Sequence, residues 1–299
     1  HYEDDILPIL NKIRIELAKQ LENLDIAGIR KMEDLSRIKR LSEMFKQTDK
    51  IITDYYYEIS KVNEESVIEA GRYTVDFIER KMNQFLGDTM VKAISLKKIE
   101  KITTNAVFGS ESNKHTAGFW WKRQSAYLRK LYRNKVGSLV ASDAPVKEVI
   151  TAIRGTVKNN FTDGIMNVTY KQAKALARSS IVNTSNACRN DMYQSNDDIV
   201  KGIVWVSTLD GRTSDICIAL DGKKWDNEYN PVGHGFPYPG DTAHFACRST
   251  QAPWLKSYAE LTGRKKEIAQ DEGLRSSMNG YAPRSKKYSQ FLREQGAEF

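Results

Sequence analysis

The chain has 299 residues, of which 40% are hydrophobic and 28% charged, as in ordinary folded proteins, and it is long enough for two domains. No apolar run approaches the length of a membrane span, so a transmembrane role is excluded. Three cysteines do not make a disulfide framework, which indicates synthesis in a reducing cytoplasm. The net charge of +8 favours an acidic partner, although lysine and arginine are dispersed along the chain.

Apolar residues recur at three- and four-residue spacing through the first third of the chain, which predicts helices with one buried face. We expect a first helix over residues 6–24, a second after Gly28 and a third from Ile51. One or two more are expected over residues 67–99, with a break at Gly87. These helices form either a loose antiparallel bundle or an extended arm that docks on a larger assembly.

Two aromatic clusters lie in this helical part. Because Tyr55 to Tyr57 cover a full helical turn, at least one ring must lie off the core face, where it is a candidate for an interface contact. Phe119, Trp120 and Trp121 precede two basic residues. Such a cluster anchors a helix in the core, stacks on single-stranded bases or forms a protein interface.

The polar segment 109–113 is turn-forming and predicts a domain boundary. Beyond it, helices are expected up to Gly155 and again from Thr169 or Tyr170 to Tyr193. Small residues on one face of the later helix let another backbone approach closely, so we expect it to pack on a carboxyl-terminal sheet.

Residues 205–250 are the most informative segment. Trp205 ends a short apolar run typical of a buried strand. A polar turn follows, in which Gly211 is free to take positive φ and Asp210 can bond its own backbone. Cys217 lies between this turn and a second one, Asp221-Gly222. After a Gly/Pro-rich loop, a histidine, a thiol and an arginine return together in HFACRS.

The pattern W-x-S-x-x-D-x-R-T-S-x-x-C-x-x-L-D-G-K, followed by a Pro/Gly loop and H-x-x-C-R-S, resembles the carboxyl-terminal signature of Mu F-like phage head morphogenesis proteins. The upstream helix with AKALARSSIVNTSNACRNDMYQS, the helical block around Trp120-Trp121 and the ending YSQFLREQG resemble neighbouring parts of that family. The resemblance covers roughly residues 100–299. The signature residues are Trp205, Asp210, Arg212, Thr213, Cys217, Asp221, Gly222, His244, Cys247 and Arg248.

The thiols and imidazoles of this signature are compatible with a metal site, a disulfide or a catalytic pair. Cys217, His244 and Cys247, with His234 as a fourth ligand, would make a zinc site, and His244-x-x-Cys247 has ligand-like spacing. Cys217 and Cys247 would alternatively form a disulfide, or a Cys–His nucleophilic pair with His244. The favoured interpretation needs neither metal nor catalysis, so no cofactor is expected.

In that interpretation the thiols are small buried apolar groups. His244 and Arg248 then tie the returning segment to Asp210, Asp221 or Asp226 through charged hydrogen bonds. Because the whole prediction rests on two distant turns closing on each other, Cys217 and His244 should lie close together.

The sequence therefore predicts an α+β protein. A helical amino-terminal region (residues 1–108) precedes a helix-rich block packed on a small, mostly antiparallel β domain that carries the signature (109–254). A helical tail follows (255–299), with helices after Leu255 and at residues 288–294 and a loop at residues 276–284.

As the resemblance implies, the expected function is that of a minor capsid protein of a tailed phage or prophage. Such a protein is made in the host cytoplasm and lies inside the head of the virion. Its expected partners are the portal protein, the major capsid protein or the scaffold, together with packaged double-stranded DNA and no membrane. It would aid assembly, DNA packaging or ejection rather than act as an enzyme.

Two alternatives belong to other classes. One is a metal-dependent nuclease or hydrolase that uses Cys217, His244 and Cys247. The other is a DNA-binding module that acts in the cytoplasm.

Overall fold

The computed structural model describes residues 5–22, 34–86, 91–110, 112–142, 144–262 and 273–296. These residues fall into two compact units, one made of residues 1–66 and 116–178 (unit 1) and one of residues 67–115 and 179–299 (unit 2). Both units are discontinuous in sequence. They do not follow the three contiguous segments, 1–108, 109–254 and 255–299, that were predicted.

The described helices, in chain order, are α1 (Leu7–Glu22), α2 (Asp34–Leu86), α3 (Leu96–Asn105), α4 (Ala117–Ala141), α5 (Val146–Arg154), α6 (Ile165–Gln194), α7 (Asp215–Leu220), α8 (Tyr258–Thr262) and α9 (Tyr288–Glu294). The described strands are β1 (Val107–Ser110), β2 (Asn113–Thr116), β3 (Val200–Val206), β4 (Lys224–Asp226), β5 (Pro231–Val232), β6 (Thr250–Leu255), β7 (Leu274–Ser277) and β8 (Gly280–Pro283). The predicted α+β fold class is confirmed.

The prediction of a separate helix from Ile51 was wrong, because α2 runs without interruption over 53 residues. Neither proline nor glycine occurs between Asp34 and Ala70, so nothing in that stretch breaks the backbone hydrogen-bond ladder. The predicted breaks at Gly28 and Gly87 lie outside the described residues.

In unit 1, aromatic side chains of α2 and α4 meet in the core. The Trp121 indole N–H donates to the Asn63 side-chain oxygen at 3.0 Å, and the Tyr56 ring lies 6.3 Å from the Trp121 ring. Phe119 is 41% exposed. The cluster therefore anchors α4 through Trp121 and leaves one ring at the surface.

In unit 2, a four-stranded sheet with the order β5-β4-β3-β6 is antiparallel throughout. Its core combines apolar side chains from α2, α3, α6, the residues that precede α3 and β3, β3 itself and the signature segment: Val75, Ile78, Met82, Val91, Ile94, Ile99, Cys188, Met192, Tyr193, Ile199, Val200, Ile203, Trp205, Cys217, Leu220, Trp225 and Cys247. The end of α6 shares this core through Cys188, Met192 and Tyr193, and not through the small residues on which its packing against the sheet was predicted.

The predicted domain boundary at residues 109–113 lies close to the division between the two units after residue 115, whereas the predicted loop at residues 276–284 is an antiparallel hairpin instead. Strands β1 and β2 pair across the first, and β7 and β8 across the second. In the second hairpin, Gly280 takes a positive φ of 101° next to the turn, which a glycine adopts at low cost. The carboxyl-terminal segment is thus a hairpin followed by α9 rather than a purely helical tail.

Among the helices that the structure describes, none is both long enough and apolar enough to cross a membrane.

Candidate functional site

Strand β3 leads directly into the signature turns. The Asp210 carboxylate accepts a hydrogen bond from the Arg212 backbone N–H at 2.9 Å, the local contact expected of this turn. The Thr213 hydroxyl donates to the Thr208 carbonyl at 2.6 Å, which fixes the end of the turn. Gly222 takes the left-handed conformation (φ 74°), whereas Gly211, which was noted as free to do so, does not use that freedom.

After this turn, α7 carries the first thiol. Ser214 precedes the helix, and its hydroxyl accepts a hydrogen bond from the Cys217 backbone N–H. The helix ends at the second turn, where the Gly222 N–H donates to the Trp205 carbonyl at 2.9 Å. That bond holds the helix against the end of β3, which positions Cys217 in the core.

Cys217, His244 and Cys247 form the Cys–His cluster. The Cys217 sulfur lies 3.3 Å from His244 Nε2 and 3.7 Å from the Cys247 sulfur. Both thiols are only 2% exposed, whereas His244 is half-buried. The two distant turns therefore close on each other through the residues on which the prediction depended.

The His244 ring is held in one orientation by its other nitrogen. His244 Nδ1 lies 2.6 Å from the Phe245 carbonyl oxygen, which can only accept, so Nδ1 carries the proton. His244 Nε2 then presents its lone pair to Cys217 and to the Ser214 hydroxyl, which lies 2.7 Å away.

The two thiols affect each other's ionisation. The hydrogen bond between them lowers the pKa of Cys217 to about 6, and the same contact together with burial raises the pKa of Cys247 well above its usual range.

Arg248 pairs with Asp210, the first of the three carboxylates proposed as its partners. One guanidinium nitrogen lies 2.7 Å from an Asp210 oxygen, and a second contacts the other oxygen. This bidentate hydrogen bond holds the pKa of Asp210 at about 2. Arg212 also faces Asp210, at 3.8 Å, but its side chain is 85% exposed.

Asp221 has a partner that the sequence did not reveal. Arg275, from the β7–β8 hairpin, pairs with both Asp221 oxygens and donates to the Ser207 carbonyl. The side chains of Arg275 and Asp221 are 3% and 5% exposed. No local pattern marks Arg275, because its role comes from a contact across 54 positions of the chain.

His234 and Asp226 lie outside the Cys–His cluster. His234 packs edge-on against Trp225 with ring centroids 4.9 Å apart, and its Nε2 contacts the Lys224 backbone. Asp226 accepts from the backbone N–H groups of Glu228 and Asn230, which closes a local turn. His234 therefore does not belong to the cluster, and of the three carboxylates offered as alternative partners of Arg248, Asp210 and not Asp226 forms the pair.

A polar stripe on α6 faces the segment that carries His244. Ser179 accepts from the Ala246 backbone N–H at 2.8 Å, and Thr242 donates to Asn183 at 3.0 Å. Asn186 donates to the Asp241 carbonyl and Asn190 to the Asp241 carboxylate, both at 2.7 Å. The stripe consists of Ser179, Asn183, Asn186 and Asn190.

The spacing of this polar stripe, alternately four and three residues, is that of one helix face. This spacing is visible in the sequence and could have located the stripe, but the prediction for α6 rested only on its small residues. The stripe holds the second half of the signature in place. It also surrounds Asp241, whose pKa is raised by burial.

Residues 145–252 match the family model of the phage Mu protein F like protein. The predicted family is confirmed over this segment, which is less than half of the chain and spans the polar stripe, the signature turns and the Cys–His cluster. Neither the curated proteins nor the solved structures gave a match.

Proposed function

We propose that this chain is a minor head protein of a tailed phage or prophage, located inside the head and bound to the portal, the major capsid protein or the scaffold. Its role would be to aid head assembly, DNA packaging or DNA ejection. The observation that carries this proposal is the match of residues 145–252 to the phage Mu protein F like family.

The bonding of the signature residues supports a scaffold role. Asp210 and Asp221 are each held by a guanidinium group. Asp210 also accepts from the Arg212 N–H in its own turn, and Asp221 accepts from the Ser207 N–H just after β3. Carboxylates that are used in this way fix the backbone and are not free to transfer protons.

Exposed aromatic side chains on α2 support a protein partner. Tyr73 is 64% exposed and Phe77 is 40% exposed, and their rings stack with centroids 6.4 Å apart. Tyr57, the exposed member of the tyrosine triplet, is also 64% exposed. Aromatic residues of this kind are enriched where proteins bind each other.

The net charge of +8 is compatible with a location next to packaged DNA, which is negatively charged. Lysine and arginine side chains displace the counterions that condense on a duplex, so proximity to DNA is favourable and depends on salt.

Purified particles test the proposal directly. Mass spectrometry of intact heads should detect the chain at a fixed copy number, protected from added protease until the heads are opened. A Tyr73→Ser/Phe77→Ser variant should fold normally and be depleted from particles, because its contact surface is lost. The matched control is Tyr281→Ser, which removes a 77% exposed ring from the β7–β8 hairpin.

The outcomes separate the alternatives. Absence of the native chain from purified heads would reject a virion role and favour a cytoplasmic DNA-binding module. Equal incorporation of both variants would reject the aromatic contact on α2 but leave the virion location standing.

The Cys–His cluster is the observation that favours the second candidate, a metal-dependent nuclease or hydrolase. Two buried thiols and one imidazole can hold a metal, but both sulfurs are closed off from substrate. Incubation of the metal-loaded chain with single- and double-stranded DNA tests this alternative, and we expect no cleavage.

A further inference from the structure

The Cys–His cluster joins two segments that are far apart in sequence. Cys217 lies in α7, and His244 and Cys247 lie in the turn that precedes β6. Their sulfur and nitrogen atoms all lie within 4.8 Å of one another. Outside this cluster, the structure shows no other group of three potential metal ligands among the residues it describes.

The spacing of these atoms fits a tetrahedral metal. Bond lengths of about 2.3 Å to sulfur and 2.05 Å to nitrogen place two sulfur ligands about 3.8 Å apart and a sulfur and a nitrogen about 3.6 Å apart. The two sulfurs here are 3.7 Å apart, and the Cys217 sulfur is 3.3 Å from His244 Nε2. The third pair, the Cys247 sulfur and the imidazole nitrogen, lies within 4.8 Å, so two of the three distances already match those of a tetrahedral ion.

The imidazole is already oriented as a ligand. A metal-binding histidine commonly donates its other ring N–H to a carbonyl or a carboxylate, which fixes the tautomer. His244 does so through Nδ1 to the Phe245 carbonyl, so that Nε2 faces the two thiols.

The backbone of the turn from His244 to Cys247 also favours the placement of both side chains towards Cys217. Ala246, between His244 and Cys247, has a φ of 55°, a conformation that costs a non-glycine residue free energy. Its N–H is held by Ser179, and the Cys247 N–H donates to the His244 carbonyl. The turn therefore presents both side chains on the same side, towards Cys217.

The donor set selects among metals. Thiolates and imidazole in a tetrahedral arrangement favour zinc over the hard cations magnesium and calcium, which take oxygen ligands. Two thiolates also neutralise the charge of Zn²⁺, which a buried site requires.

We propose that Cys217, His244 and Cys247 bind one zinc ion, with an oxygen atom, from the Ser214 hydroxyl or from water, in the fourth position. The Ser214 oxygen already lies 2.7 Å from His244 Nε2. The ion fastens the His244–Cys247 turn to α7 and so holds the two halves of the signature together. Binding releases the thiol protons, because the ligands are thiolates.

The first test is the metal content of the full chain, purified under reducing conditions without chelator. We expect about one zinc per chain for the native protein and for two matched controls, Cys188→Ala and His234→Asn, which alter a cysteine and a histidine outside the cluster. Cys217→Ser, Cys247→Ser and His244→Asn should each lose most of the zinc.

A second test avoids variants that fail to fold. Cobalt(II) added to the reduced, metal-free native chain should give thiolate-to-cobalt charge-transfer absorption and the intense visible bands of a tetrahedral site, and zinc should then displace it. Chelator should lower the melting temperature of the native chain.

Four results would overturn the proposal. The first is a native chain without zinc and without cobalt–thiolate absorption, and the second is a Cys217–Cys247 disulfide that persists in the presence of a thiol reductant. The third is equal zinc loss from the cluster variants and the two controls. The fourth is cleavage of DNA by the zinc-loaded chain, which would show a catalytic metal. None of them depends on whether the chain is found in phage heads, so this test and that of the proposed function fail independently.

Discussion

At the scale of single residues, two carboxylates organise the signature, and each is held by an arginine from another segment. Asp210 is bound by Arg248, two positions before β6, and Asp221 by Arg275 in the β7–β8 hairpin. The Arg275 pair is almost completely buried, so removing one partner would leave a charge in the core at a cost of about 3–5 kcal/mol.

The Asp210 pair makes the stability of unit 2 depend on pH. Because its folded pKa is lowered to about 2, Asp210 stabilises the fold above the ordinary pKa of about 4 and loses this contribution as the pH falls through about 2. In Arg248→Met the folded pKa returns towards the ordinary value. We expect the free energy of unfolding to fall by about 1–2 kcal/mol at pH 6, since Arg248 is partly exposed to water, and the difference to shrink steadily as the pH falls from about 4 through about 2.

Urea unfolding followed by circular dichroism from pH 2 to pH 7 measures this effect. The matched control is Arg212→Met, which removes the other guanidinium near Asp210, because that side chain is 85% exposed and should contribute little. If the free energy of unfolding of Arg248→Met varies with pH in parallel with that of the native chain, groups other than Arg248 lower the pKa of Asp210.

At the scale of elements, the long helix α2 passes close to its neighbours in unit 2 at Gly71. A β-carbon added there would lie 2.9 Å from Cγ2 of Ile99 in α3 and 3.2 Å from the Cys188 sulfur in α6. Distances this short force the neighbours to move, and the branched Ile99 side chain has little freedom to do so.

We therefore expect Gly71→Ala to lower the free energy of unfolding by about 1–3 kcal/mol, although alanine is the better helix former. The matched control is Gly137→Ala in α4, where the nearest atom to the added carbon is Phe45 Cζ at 3.9 Å. This second change should stabilise by about 0.5–1 kcal/mol through helix propensity alone. Equal effects in chemical denaturation would contradict a close helix contact at Gly71.

The sequence predicted elements better than the contacts between them. Hydrophobic spacing located the helices and the β3 strand, and the turn residues around Asp210 and Asp221 correctly indicated that Cys217 and His244 meet. The continuity of α2 was missed because apolar spacing drifts along a long helix and looks like several helices. The pairing of Arg275 with Asp221 could not be predicted, since the local sequence LRSS contains no pattern that indicates a partner in a distant turn.

At the scale of the whole molecule, the two units interleave along the chain. Residues 67–95, which were grouped with the amino-terminal helices, supply Val75, Ile78, Met82, Val91 and Ile94 to the core of unit 2. Deleting residues 1–95 therefore removes core side chains as well as any docking arm. Loss of such a deletion variant from particles would not by itself locate a contact surface.

We predict that a chain starting at residue 96 melts without a cooperative transition and binds a hydrophobic dye, because the sheet and α6 lose their apolar cover. A chain starting at residue 67 keeps all five core residues and should retain a cooperative thermal transition for unit 2. Calorimetry and dye fluorescence compare the two truncations. Similar melting of both would mean that the carboxyl-terminal signature folds without α2.

The discontinuity of unit 2 also governs how the protein is made. Its first part, residues 67–115, leaves the ribosome before residues 179–299 are synthesised. The apolar face of α2 therefore stays exposed until the rest of unit 2 has been translated. Contacts that span such a separation form late and leave hydrophobic surface open to other chains in the meantime. Because the two parts of unit 2 are far apart in the chain, we expect its folding to depend on chaperones when the protein is synthesised rapidly.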